Sequence, residues 1–119
     1  MIHTLKIPGY LPPRLNELLR AHWGYRARAQ KEADQFVAIY AASDGVPRAT
    51  GRRKVSLVFR GSRCDPDARL KLILDALVHA GLLVDDSEKW CLLDPPKNGP
   101  GPRAVVIQLE DIPPMEGGD

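Results

Sequence analysis

Residues 55–81 read VSLVFRGSRCDPDARLKLILDALVHAG, and this stretch decides the fold. Val55, Leu57 and Phe59 alternate with Ser56, Val58 and Arg60, the period of two expected of a half-buried strand. Gly61-Ser62-Arg63 leads the chain out of it. Leu70, Ile73, Leu74 and Leu77 then recur at helical spacing, and Gly81 stands where a left-handed C-terminal cap is wanted. A strand feeding an amphipathic helix, with strand-like sequence on both sides, predicts a sheet with helices packed on it.

Upstream, Leu5 and Ile7 alternate with Thr4 and Lys6 as a strand that Pro8-Gly9 ends, and Pro12-Pro13 bar regular pairing beyond it. Leu15, Leu18 and Leu19 have helical spacing between Arg14 and His22. Gly24 interrupts before a second helical stretch, whose face is Ala29, Ala33, Phe36, Val37 and Tyr40 and whose stop signals are Asp44-Gly45 and Pro47. Downstream, Lys89 to Leu93 reads as a short strand and Ala104 to Leu109 as a better one. The loop from Pro95 to Pro102 is too rich in Pro and Gly to pair well. The expected architecture is one α+β domain, a mixed β-sheet with two main helices in the order β-α-β-α-β-β, over residues 1–112. Residues 113–119 are expected to be a flexible tail.

The composition excludes some classes. No run of about 18 apolar residues offers a membrane span. The opening MIHTLKIPGYLPP lacks the basic-then-apolar layout of a signal peptide, so the expected location is cytoplasmic. Cys64 and Cys91 make neither a disulfide framework nor a zinc set, and His3, His22 and His79 show no metal-ligand spacing. The net charge of +2 hides a division. Residues 1–63 hold twelve Lys/Arg against four Asp/Glu, and residues 64–119 hold five against eleven. A basic half beside an acidic half suggests a polyanion surface next to a carboxylate cluster, though chance or dimer contacts also produce such a split.

Asp65-Pro66-Asp67 fronts the clear helix and has a structural reading as N-cap, first helical residue and first-turn acid, with the cap worth about 1 kcal/mol. Three neighbours point further. Asp85-Asp86 follows the same helix, where no helix start needs them; Lys71 lies one turn after Asp67; and Arg60 and Arg63 lie just upstream. Gathered carboxylates repel unless a cation joins them, and hard oxygen ligands suit magnesium. A helix of about fourteen residues is about 20 Å long, so Asp86 either folds back along it or meets the other acids from a second subunit.

The run Asp65-Pro66-Asp67-Ala68-Arg69-Leu70-Lys71, then Asp75-Ala76-Leu77, Gly81 and Asp85-Asp86, resembles the RusA family of Holliday-junction endonucleases, whose usual signature is D-x-D-N-x-x-K, D-A-L, a glycine and D-D. Pro12-Pro13 and Asn16 likewise resemble the family's opening P-P-x-x-N, so the resemblance spans nearly the whole chain. It implies a homodimer, often prophage-encoded, that binds four-way DNA junctions and nicks them with Mg²⁺, for which Mn²⁺ can substitute. Asp65, Asp67 and Asp86 would be the metal ligands and Lys71 the catalytic lysine, with Asp85 and Asn16 as accessory residues. Ala68 departs from the family's Asn, and Cys64 stands where a basic residue often precedes the first Asp; each departure weakens support for metal or phosphate.

Arg14, Arg20, Arg26, Arg28, Arg52, Arg53, Lys54 and Arg63 are the expected phosphate contacts. Trp23 or Tyr25 either stacks on an unpaired base or anchors its loop on the core. Two rivals stand beside the nuclease: a branched-DNA-binding protein of the same fold that has lost catalysis, and a small dimeric interaction module in which Asp65 and Asp67 only cap a helix.

Overall fold

Strand β2 (Arg53–Arg60) is the spine of a five-stranded mixed sheet. Strand β5 (Ala104–Asp111) runs antiparallel along one edge of it, and β1 (Ile2–Pro8) closes the sheet beyond β5. Two short strands, β3 (Cys91–Leu93) and β4 (Lys97–Gly99), divide the other edge, both parallel to β2. The architecture is that of a computed structural model, which describes residues 1–115.

Register turns the period of two into a core. Val55 opposes Leu109, Leu57 opposes Ile107 and Phe59 opposes Val105, while Leu5 and Ile7 meet Ile107 and Val105 from the far side. All eight of these side chains are buried. Helices α2 (Trp23–Ser43) and α3 (Leu70–His79) complete the core with Ala29, Ala33, Val37 and Ala41 from one and Leu72, Ile73, Ala76 and Leu77 from the other. The opposite sheet face carries Thr4, Lys6, Ser56 and Gln108 and is only partly covered. This is a single α+β domain with a mixed sheet and two substantial helices packed against it. Among the described residues no helix is long and apolar enough to cross a membrane.

Both long helices end in the expected way. Gly81 at φ +77 lets the Leu82 amide reach the Leu77 carbonyl (2.9 Å) and its own amide reach Val78 (3.0 Å). Gly45 at φ +67 does the same for α2, where the Val46 amide bonds the Ala41 carbonyl at 2.9 Å. The start of α2 differs from expectation. Gly24 does not interrupt it but lies in its first turn, because the His22 ring accepts the Gly24 amide at 3.1 Å and caps the helix. A short helix, α1 (Leu15–Arg20), precedes it.

The loop expected from Pro95 to Pro102 does pair: Lys97–Gly99 is β4. The pairing depends on glycine, since a Cβ at Gly99 would sit 2.8 Å from Val58 Cγ1. Of the tail expected over 113–119, Pro114 and Met115 line a cavity of about 230 Å³ with Arg52, Lys89 and Trp90, and residues 116–119 lie outside the described residues.

Because β2 and β3 are parallel, the chain must return the length of the sheet between them, and α3 is that return. The carboxyl end of β2 therefore delivers the chain to Asp65, and the far end of the crossover delivers it to Asp86.

Candidate active site at the carboxyl end of strand β2

Asp65 caps the 3-10 turn Pro66–Arg69 that leads into α3: its Oδ1 accepts the Asp67 amide at 3.0 Å, with Pro66 in the first turn. The structural reading of the triplet is thus realised, yet it uses only one carboxylate oxygen. Both acids are exposed, and the ion pairs among the described residues leave both free. The turn is held from three sides. The Gly61 amide bonds the Gly99 carbonyl (3.1 Å), Asn98 donates to the Cys64 carbonyl (2.6 Å), and the Ala68 amide bonds the Asp65 carbonyl (3.0 Å). Arg69 reaches further, donating to the buried Ser62 hydroxyl at 3.0 Å and to the Pro12 carbonyl.

That last bond fastens the Pro12-Pro13 arm onto the acidic turn. Arg14 follows it. Its guanidinium is made more basic first by Glu17, whose Oε1 lies 2.7 Å away. Helix α1 packs on the 3-10 turn. Lys71, exposed, pairs with Asp75 at 3.3 Å and lines a groove with Leu15, Leu18 and Leu19 of α1 and Arg26 of α2. Segments about fifty residues apart in sequence, one basic and one acidic, are therefore neighbours.

Asp86 is not brought to this turn. Its charge acts on Cys91, whose thiol is pushed up first by burial and then by Asp86, and Cys91 pairs with Arg53 at the opposite end of β2. A strand of eight residues at about 3.3 Å each separates the two ends by roughly 25 Å. Among the described residues no group of three or more acidic, His or Cys side chains is placed to share a metal. Asp85 is exposed beside Asp86, its carboxyl held low first by a hydrogen bond from the Ser87 side chain.

The expected phosphate contacts divide. Arg14, Arg20, Arg26, Arg28 and Arg63 are exposed, and Asn16 is exposed on α1. Arg52 is half-buried with its Nε on the Glu88 carbonyl (3.0 Å), and Lys54 is half-buried 3.5 Å from Asp94. Both lie at the Asp86 end of β2. Arg53 must be removed from the set. It is 1% exposed, and its guanidinium is taken up by Asp111 Oδ1 (2.8 Å) and by the Pro47 and Leu82 carbonyls (3.0 Å each). The alternation of β2 carries the signal, because Arg53 is in phase with Val55, Leu57 and Phe59. Trp23 is 70% exposed, so it does not anchor its loop on the core.

No family model and no curated protein matches this chain. What the arrangement can do chemically therefore rests on its own residues: two solvent-facing carboxylates on a pinned turn, a lysine one helical turn on, and arginines packed alongside. Sequence reasoning missed the residues that position this turn. Arg69 did carry a signal, since a cation in the first turn opposes the helix dipole and needs another reason to be there. Ser62 and Asn98 carried none.

Proposed function

We propose that the protein is a magnesium-dependent endodeoxyribonuclease that acts on branched DNA as a homodimer, as the RusA-like pattern implies. The observation that supports it is the docking of the Pro12–Arg20 segment, which carries Arg14 and Arg20, onto the turn bearing Asp65 and Asp67. A nuclease needs cations for phosphates next to carboxylates for a metal, and here both meet at the carboxyl end of a strand where the chain leaves the sheet, the place where open α/β sheets bind ligands.

The donor set fits magnesium, which takes one or two protein carboxylates and keeps several waters. Asp65, through the oxygen not used in capping, and Asp67 would hold it. Bound there, the ion would lower the pKa of a water and neutralise charge building on the phosphate. The chain's own residues do the rest. Arg14, Arg20 and Arg63 bind backbone phosphates, and Lys71 counters negative charge at the reacting phosphate once it leaves Asp75, a pairing worth at most about 0.5 kcal/mol at this exposure. Asp86 serves the site of a second copy. A two-fold axis that lays the Asp86 end of one chain on the Asp65 end of another brings Arg52 and Lys54 with it, and so extends the cationic track.

The test is nicking of a labelled four-way junction, with linear duplex as control, in Mg²⁺ and in chelator. Asp67→Asn should abolish nicking while junction binding persists. Asp67 is the better choice because Asp65→Asn also perturbs the cap. A second reading, DNA binding without cleavage, draws on the distance between Asp86 and the other acids within one chain. It predicts salt-dependent junction binding with no nicks in Mg²⁺ or Mn²⁺.

A further inference from the structure

We propose that the groove between α1, α2 and α3, together with Trp23 on the groove-facing side of α2, takes a single unpaired base of the bound nucleic acid. The groove holds about 160 Å³ and is lined by Leu15, Leu18, Leu19 and Leu72, with Arg26, Gln30 and Lys71 at its polar points. Trp23, Arg26 and Gln30 are spaced i, i+3 and i+7 on α2, so the exposed indole shares a helix face with two residues that line the groove. The His22 ring stands beside it, centroids 5.5 Å apart. Gln30 is held in place, its amide nitrogen donating to Asp34 (2.8 Å) and to the Leu72 carbonyl (3.2 Å).

This is an apolar surface left in water: Trp23 is 70% exposed and Leu19 64%, with Leu15 at 39%. What would cover it is set by charge. From Arg14 to Lys31 the chain has five Lys/Arg against Glu17 alone, and Lys71 adds a sixth cation from α3. Two copies meeting here about a two-fold axis would set this cationic patch against itself. A polyanion with flat apolar parts meets both demands, the base lying on the indole and among the leucines while its phosphates reach Arg20 and Arg26. Lys71 belongs to the groove and follows Asp67 by one turn, so a base held there lies beside the proposed scissile phosphate. The inference rests on the nuclease reading for that consequence, but the groove itself is tested by binding alone.

The chain has two tryptophans, Trp23 and Trp90, so Trp90→Phe leaves Trp23 as the sole indole reporter. The full-length Trp90→Phe protein is titrated with a DNA duplex carrying one unpaired base and with the same duplex fully paired. Stacking predicts that the bulged duplex quenches Trp23 emission and the paired one does not. It predicts that Trp23→Ala weakens binding of the bulged duplex about ten- to a hundred-fold while leaving the paired duplex unchanged. Equal, salt-dependent binding of both duplexes that Trp23→Ala does not alter overturns the groove as a base site and leaves the phosphate surface standing. Loss of salt-dependent binding to either duplex overturns both. Quenching by an acidic peptide, polyglutamate, at concentrations where the bulged duplex gives none assigns the groove to a protein partner and overturns the proposal too.

Discussion

Replacing Arg53 by Met separates structural from DNA-contacting arginines. Arg53 is the largest of the fully buried side chains, and its three side-chain bonds join the loop at Pro47, the turn after α3 at Leu82 and the end of β5 at Asp111. Met keeps most of the apolar stem, so the loss is mainly of hydrogen bonds. The Leu82 carbonyl is bonded in a buried position, and stranding it costs about 1–3 kcal/mol. The Pro47 carbonyl lies nearer water and loses about 0.5–1 kcal/mol. Asp111 is 48% exposed, so water replaces the guanidinium and the ion pair adds less than about 1 kcal/mol. Together these come to about 1.5–5 kcal/mol, which lowers the melting temperature by roughly 6–20 °C in a domain of this size. Urea and thermal unfolding followed by circular dichroism measure it. DNA affinity of the folded variant stays within about two-fold of the parent, because no Arg53 donor faces solvent. Arg20→Met gives the opposite pattern: stability within about 0.5 kcal/mol of the parent, and a salt dependence of DNA binding shallower by about 0.9 in slope. An Arg53→Met protein that unfolds with the parent, or that keeps its stability and loses DNA, refutes the assignment.

The Asp111 carboxyl is held low first by the Arg53 hydrogen bond, with His3 adding to it at 3.3 Å. A depressed carboxylate stabilises the fold above its unfolded value and loses that contribution as pH falls through its folded one. The stability gap between the parent and Asp111→Asn should therefore be full at neutral pH and close below about pH 4, as chemical denaturation across that range will read; a gap that widens on acidification contradicts it. Gly81→Ala and Gly45→Ala both force a Cβ onto a left-handed backbone, at φ +77 and +67; the Cβ at Gly81 also meets the Arg48 guanidinium at 2.8 Å, but that is the far end of a flexible side chain and can swing aside. Unfolding curves should show each substitution to cost about 1–3 kcal/mol, with the two losses alike, and a much larger loss at Gly81 would show that Arg48 is held fast.

The elements legible in the sequence are those whose cause is local. The alternation of Val55, Leu57 and Phe59, the stripe of α3, the cap at Asp65 and the stops at Gly45 and Gly81 each depend on residues within one or two turns. Strand β4 was hidden because its pairing depends on the approach of Gly99 to Val58, a contact across the sheet. The same distinction divides the candidate site. Asp65 and Asp67 belong to one turn and could be placed from sequence. Their neighbours from the Pro12–Arg14 arm are brought in by Arg69, and the distance to Asp86 is set by the length of the crossover. Counting charges placed Arg53 with Arg52 and Lys54, although strand phase sets it apart, since a buried guanidinium with three acceptors is as compatible with a basic run as a surface one.

The most direct test of the shared site is subunit mixing on a labelled four-way junction in Mg²⁺, with a chelator control. The parent protein should nick the junction, and Asp67→Asn and Asp86→Asn should each be inactive alone. If Asp86 serves the opposite copy, co-folding the two inactive variants builds mixed dimers with one intact site, and magnesium-dependent nicking partly returns. A parent protein that leaves the junction uncut in both Mg²⁺ and Mn²⁺ contradicts the nuclease, and active parent with silent mixtures contradicts the sharing of acids between copies.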